Sequence, residues 1–225
     1  MADAAVIFDV DGVLLDLTPA EEDAFFFPFA RLHGLEDLSR DWDSYHVRND
    51  EDIITEILDR HFGRAPSRGE HQAIIRAYLD HLASAIELKR LRPAPIDGAG
   101  ELLGSLSGRA ALGIATANLL EAAELRLAAA SLWEPIRAHA FGANGGGAKR
   151  DILARAIAAT GLPAKRIVFI GDNLNDVEAG LAHGVHFIGF SRDEAKGRRL
   201  AEAGAQRICN HHQDTLKHIE QALRL

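Results

Sequence analysis

Ala5-Val6-Ile7-Phe8-Asp9-Val10-Asp11-Gly12-Val13-Leu14-Leu15-Asp16 runs from a short apolar segment into two carboxylates, one residue apart, followed by a glycine. An apolar run of this length bounded by turn residues reads as a buried strand, of the kind found in parallel sheets covered on both faces. Asp9 and Asp11 then stand at its carboxyl end. Side chains two apart on a strand point to one face, so the two carboxylates converge unless the chain turns between them. Converging like charges call for a cation or a proton between them. Taken alone, the same residues also fit a strand that ends in a solvated turn, since Asp and Gly are common turn formers.

Outward from this stretch the pattern changes twice. Thr18-Pro19-Ala20-Glu21-Glu22 opens a helix, with proline early and acids in the first turn. From there to about Arg90 the periodicity is helical only, over Ala20 to His33, Asp50 to Phe62 and Ser67 to Glu87. Arg92 to Gly98, with two prolines, breaks it. Strand and helix then alternate. Strands are expected at Ala110 to Thr116, Arg137 to Phe141, Arg166 to Ile170, Val185 to Phe190 and Gln206 to Cys209. Helices are expected at Leu119 to Ala130, Arg150 to Thr160 and Asn175 to Ala182. Such alternation implies βαβ units and a parallel sheet, with the helical block inserted after the first strand.

In sheets of this kind ligands bind beyond the carboxyl ends of the strands. The residues expected there are Asp9 and Asp11, Thr116 and Asn118, Asp172 with Asn173, Asn175 and Asp176, and Lys149 with Arg150 at a helix start. Carboxylates, a hydroxyl, an amide and a cation at strand ends suit Mg²⁺ and a phosphoryl group.

Composition narrows the function classes. A formal charge of −8 argues against nucleic-acid binding. No run approaches the roughly 18 apolar residues of a membrane span, and the N-terminus lacks the basic region of a signal peptide. The single cysteine, Cys209, excludes an internal disulfide. A cytoplasmic protein with a small anionic partner is expected.

In this order, the strand-end residues resemble the haloacid dehalogenase (HAD) superfamily of phosphatases and phosphotransferases. Phe8 to Leu14 resembles its first motif, Ile114 to Asn118 its second, Lys149-Arg150 its third and Gly171 to Asp176 its fourth. The layout is most similar to phosphoglycolate phosphatase and β-phosphoglucomutase relatives. The resemblance implies an α/β fold, a doubly wound parallel sheet over residues 1–15 and 92–225, with an all-helical cap over residues 16–91. It implies that Asp9 is the nucleophile and that Asp11 protonates the leaving group and then activates water. Asp9, Asp172 and the Asp11 carbonyl would hold Mg²⁺, with Asp176 steadying ligand waters behind them. Thr116, Ala117 and Asn118 would hold the phosphoryl oxygens, while Lys149 neutralises charge. Arg150 stands where relatives commonly have proline, so either basic residue fits the third motif. Arg48 and His46, in a loop before a cap helix, are the expected specificity residues.

The expected activity is therefore hydrolysis of a small phosphate monoester, with a phosphomutase as the alternative. A non-catalytic aspartyl phospho-acceptor fits less well, given Asp11 and the helical insertion. Gly142 to Lys149 lacks the spacing and the Ser or Thr of a P-loop, and Gly98 to Gly104 opens a helix rather than a dinucleotide site. Phe25 to Phe29 reads as the core of the helical block, His211-His212 as exposed, and His183 and His186 as structural.

Overall fold

The computed structural model describes residues 2–225. Strand β1 (Ala5–Phe8) is buried along its whole length, as a continuous apolar run between helical layers requires. It is central in a six-stranded sheet whose other members are β4 (Ala111–Ala115), β5 (Ala140–Phe141), β6 (Ile167–Gly171), β7 (His186–Phe190) and β8 (Ile208–Cys209). The order is β5-β4-β1-β6-β7-β8 and every pairing is parallel. Chain order reverses around β1, which makes its carboxyl end the ligand-binding end of a doubly wound sheet. Phe8 lies level with Ile114 on β4 and Ile170 on β6. The three strands therefore deliver their next residues to one place.

Alternate residues of β1 feed two apolar layers. Val6 and Phe8 face helices α4 (Ala99–Leu106) and α9 (His212–Leu223) through Leu102, Leu103, Leu106, Ile219 and Leu223. Ala5 and Ile7 face α6 (Lys149–Thr160) and α7 (Leu174–His183) through Ile152, Leu153 and Val177. Leu200 of α8 (Glu194–Glu202) closes that second layer.

The helical block is α1 (Pro19–His33), α2 (Asp50–Phe62) and α3 (Arg68–Glu87). Thr18 and Ser67 close capping boxes with Glu21 and Glu70, and the Asn49 side chain accepts from the Asp52 N–H, which satisfies amides left open at the helix starts. Phe25, Phe29, Ile53, Ile54, Leu58, Ile74 and Leu82 form its core against Leu119 and Ala122 at the start of α5 (Leu120–Ala129). The chain leaves for the block through β2 (Leu15–Asp16) and returns through β3 (Ala94–Pro95), which pair antiparallel.

Three expectations are corrected. The strand expected from Arg137 reduces to Ala140–Phe141, behind a single 3₁₀ turn at Arg137–His139. The His139 carbonyl presses on β4 at Gly113, where a Cβ would come within 2.3 Å of it. Helices α8 and α9 were not expected, because their apolar residues are few among charged and polar ones. His212 is buried, not exposed: its ring stacks on Phe190 at 4.5 Å and its Nε2 lies 2.9 Å from the Val13 carbonyl. Among the described residues no helix is long and apolar enough to cross a membrane.

Phe29, fully buried in the block, tests that core. Phe29→Ala should cost about 3–5 kcal/mol, read as a lower urea midpoint at unchanged slope.

Candidate active site

The Asp9 N–H donates to the Ile170 carbonyl at 2.8 Å, extending the β1–β6 ladder by one bond. The chain then turns: Gly12 has φ +76° and its N–H donates to the Leu15 carbonyl. A Cβ at Gly12 would lie 2.1 Å from Asp172 Oδ2. Only glycine lets the first turn press this closely on the end of β6.

Asp9, Asp172 and Asp176 are buried and offer carboxylate oxygens within 4.8 Å of one another. Lys149, the first residue of α6, places Nζ 2.7 Å from Asp9 Oδ1 and 2.9 Å from Asp176 Oδ1. The other Asp176 oxygen accepts from the Asp172 and Asn173 N–H groups at 3.1 Å each. Lys196 pairs with Asp172 Oδ2.

Burial is the largest influence on Asp9; Lys149 pulls against it while Asp176 and Asp172 push with it, and the carboxyl rises to about 8. Burial, then Asp176, raises Asp172 to about 6 against Lys196. For Lys149, burial is outweighed by Asp176 and Asp9, which hold the ammonium above the usual lysine range. Two buried carboxylates whose charged forms are disfavoured, Asp9 and Asp172, stand beside a third, Asp176, and an unpartnered Asn175 Oδ1, and together they form an all-oxygen set. Such a set fits a hard divalent cation.

Asp11 lies apart from that group. Arg126 holds it with NH2 at 2.5 Å from Oδ1 and NH1 at 3.3 Å from Oδ2. The loop after β4 also gathers here. Thr116 Oγ1 donates to Asn118 Oδ1 at 3.1 Å and accepts from the Asn118 N–H at 3.2 Å. Asp9, Asp11, Thr116, Ala117, Asn118, Lys149 and Arg48 all line one cavity, walled by the helical block.

Asp172 and Asp176 lie outside its lining but against Asp9, whereas two further expected residues fall away from the site. Arg150 is exposed, so of the two adjacent basic residues Lys149 alone reaches Asp9. His46 is exposed, its N–H spent on Glu56 Oε2, and it does not line the cavity. Arg48 does, with NH1 2.9 Å from Asp43 Oδ1 and 3.4 Å from Asn173 Oδ1.

Arg126, Glu21, Asp50 and Lys196 were not foreseen at the site. Arg126 carried a signal: Leu119, Ala122, Ala123, Arg126 and Leu127 share one face of α5, so an arginine occupies an apolar stripe. Asp50 looked like any first-turn acid of a helix.

A family model described as haloacid dehalogenase-like hydrolase matches residues 4–184. No curated protein sequence matches the chain. Among solved structures, CbbY from Rhodobacter sphaeroides in complex with phosphate is similar at TM-score 0.75 and 22% identity, covering 100% of both chains. A putative β-phosphoglucomutase from Bacteroides vulgatus is similar at TM-score 0.70 and 22% identity, over 100% of this chain and 91% of the other. A predicted phosphoglycolate phosphatase from Haemophilus somnus is similar at TM-score 0.70 and 15% identity, over 96% and 97%. These likenesses carry the fold.

Asp50 joins the helical block to the β4 loop. Its N–H donates to the Ala117 carbonyl at 2.9 Å and its Oδ2 accepts from the Leu119 N–H at 2.8 Å. Burial raises it from 3.8 to about 7, against the Leu119 hydrogen bond. Below the usual value the acid is protonated in both folded and unfolded chains. As pH climbs from 3.8 to about 7 only the unfolded chain ionises, so this residue's contribution to stability declines over that window and then levels off. Asp50→Asn should remove the decline. By urea denaturation the variant should gain on the parent steadily from pH 4 to pH 7, by up to about 4 kcal/mol.

Proposed function

The chain belongs to the haloacid dehalogenase-like hydrolases, and from that premise we propose that it is a Mg²⁺-dependent phosphatase acting on a small phosphate monoester through an aspartyl-phosphate. The observation that carries this reading is the convergence of Asp9, Asp172, Asp176 and Lys149, of which Asp9 and Lys149 line the cavity together with the Thr116 to Asn118 loop.

In this reading an Asp9 carboxylate oxygen attacks phosphorus and the bond to the leaving oxygen breaks, giving an acyl phosphate. Asp11 assists departure of the leaving group and then takes a proton from the water that attacks phosphorus. Inorganic phosphate leaves and Asp9 is restored. Lys149, buried between Asp9 and Asp176, offsets charge on the phosphoryl oxygens, which the Thr116 hydroxyl and the Ala117 and Asn118 amides orient. Mg²⁺ held by Asp9, Asp172 and the Asp11 carbonyl, with Asp176 steadying its waters, would supply further charge neutralisation.

Residues 16–91 act as the cap and residues 1–15 and 92–225 as the core. The separate apolar cluster of the three helices and the β2–β3 pair at their junction with the sheet support that division. Arg48, which lines the cavity, would sense the rest of the substrate. The CbbY structure in complex with phosphate, similar in fold, supports the reading. The single cysteine suits a cytoplasmic location.

A panel of phosphorylated metabolites with Mg²⁺ tests the reading, with phosphate release and product analysis read together. Net phosphate release is expected; conversion to an isomeric phosphate without release would make the enzyme a phosphomutase. Asp9→Asn should lose on the order of 10³-fold or more in turnover while keeping its circular dichroism, and retention of full rate would overturn the assignment of Asp9. Chelation should abolish turnover and added Mg²⁺ restore it.

A further inference from the structure

Away from the groups that would hold the phosphoryl end, the helical block gives the cavity a second wall. Glu22 and Phe25, three residues apart on α1, share one face of that helix, and both line the cavity together with Trp42 and Tyr78. The three rings are continuous: Phe25 meets Trp42 edge-on at 5.3 Å between centroids and Tyr78 edge-on at 5.3 Å. Tyr78 is only 6% exposed, yet its hydroxyl has no hydrogen-bond partner among the described residues. A buried hydroxyl left unpaired costs free energy until a ligand meets it.

The charges lining the cavity are matched, with one exception. Lys149 meets Asp9 and Asp176, Arg126 meets Asp11 and Glu21, Arg48 meets Asp43, and Asp50 accepts from the Leu119 N–H. Glu22 has a neutral partner only. Its Oε1 accepts from Trp42 Nε1 at 3.0 Å, and its other oxygen has no partner among the described residues. A substrate carboxylate or second phosphate at this wall would face that charge with the three cations of the cavity already paired. An ammonium would find a carboxylate, aromatic rings and, in the Tyr78 oxygen, an acceptor for one N–H. Glu22 also complements the helix dipole in the first turn of α1, but that role makes no distinction between substrates.

We infer that Glu22, with Trp42 and Tyr78 beside it, is a recognition site for an ammonium group, so that the preferred substrates are monoesters whose organic part carries an amine. Neutral alkyl monoesters of equal length come second, and esters bearing a carboxylate or a second phosphate last. The inference names a substrate class for the phosphatase reading and rests on it. Glu22 supplies the countercharge, and the Trp42 N–H holds its carboxylate in place. The indole itself belongs to the ring type that attracts cations most strongly. The Tyr78 oxygen takes an N–H that a neutral alkyl chain does not offer.

The test is kcat/KM with Mg²⁺ for ω-aminoalkyl phosphates of increasing chain length, each against the n-alkyl phosphate and the ω-carboxyalkyl phosphate of matching length. At the length that reaches Glu22 the amine should be preferred over the alkyl ester by about 10–100-fold, the worth of a charge-assisted hydrogen bond with a cation–π contact. The carboxylate should be the poorest of the three. Glu22→Gln keeps an acceptor for Trp42 Nε1 and removes only the charge, so the variant should stay folded by circular dichroism while its amine preference falls by about tenfold or more. Hydrolysis of all the esters with no amine preference at any length overturns the inference and leaves the phosphatase reading standing. So does a preference that Glu22→Gln leaves intact, the mark of a helix-start acid that no substrate touches. No phosphate release from any ester, metabolites included, overturns the phosphatase reading and the inference with it.

Discussion

Repulsion among three aspartates is the constraint on which the site depends. Asp9, Asp172 and Asp176 are brought within 4.8 Å because β1 and β6 end level with each other and α7 begins two residues after Asp172, with Asp176 in its first turn. Removing such groups from water costs several kcal/mol each unless countercharge accompanies them. Lys149 supplies part of that countercharge from the first turn of α6, and Lys196 part from α8. Gly12 matters for the same reason: the turn after β1 closes over Asp172 with no space for a side chain. The sheet sets the positions of the charges, and the helix starts hold them together.

A second buried network links the sheet to the helices above it. Arg126 joins Asp11 and Asn118 of the core to Glu21 of α1, while Asp50 joins α2 to the loop after β4. At the start of α2, Asn49 Nδ2 donates to the Gly147 carbonyl at 3.0 Å and the Gly147 N–H donates to Asp52 Oδ2 at 3.0 Å. The glycine run before Lys149 is therefore clasped by the helical block. Ion pairs of this depth contribute little net stability but penalise every arrangement that separates the partners. They specify where the block sits more than they stabilise it.

Sequence periodicity carried the sheet and most of its helices, because a strand buried on both faces is a continuous apolar run and its polar successor marks its end. Asp9, Thr116 and Asp172 were visible on that ground alone. What stayed hidden depended on contacts between distant parts of the chain. Lys149 and Arg150 could not be separated, since the choice turns on which begins α6, and successive helical residues point about 100° apart. His46 and Arg48 differ by the path of an irregular loop. His212 is buried by Phe190 and Val13, neither of which is its neighbour in sequence. Asp50 has the residue type of an ordinary helix start, and only its hydrogen bond to Leu119 distinguishes it.

The placement of β1 at the centre of the sheet also governs how the chain must assemble. Ala5 pairs with Ala111 on one side and with Ile167 on the other. β1 is thus made before the helical block, and its partners β4 and β6 only after it. Long-range parallel pairing of this kind folds slowly and leaves apolar edges open in the meantime. The three helices, whose contacts are local, can form while β1 waits. Asp9 is made well before Thr116, Lys149 and Asp172, which complete its surroundings.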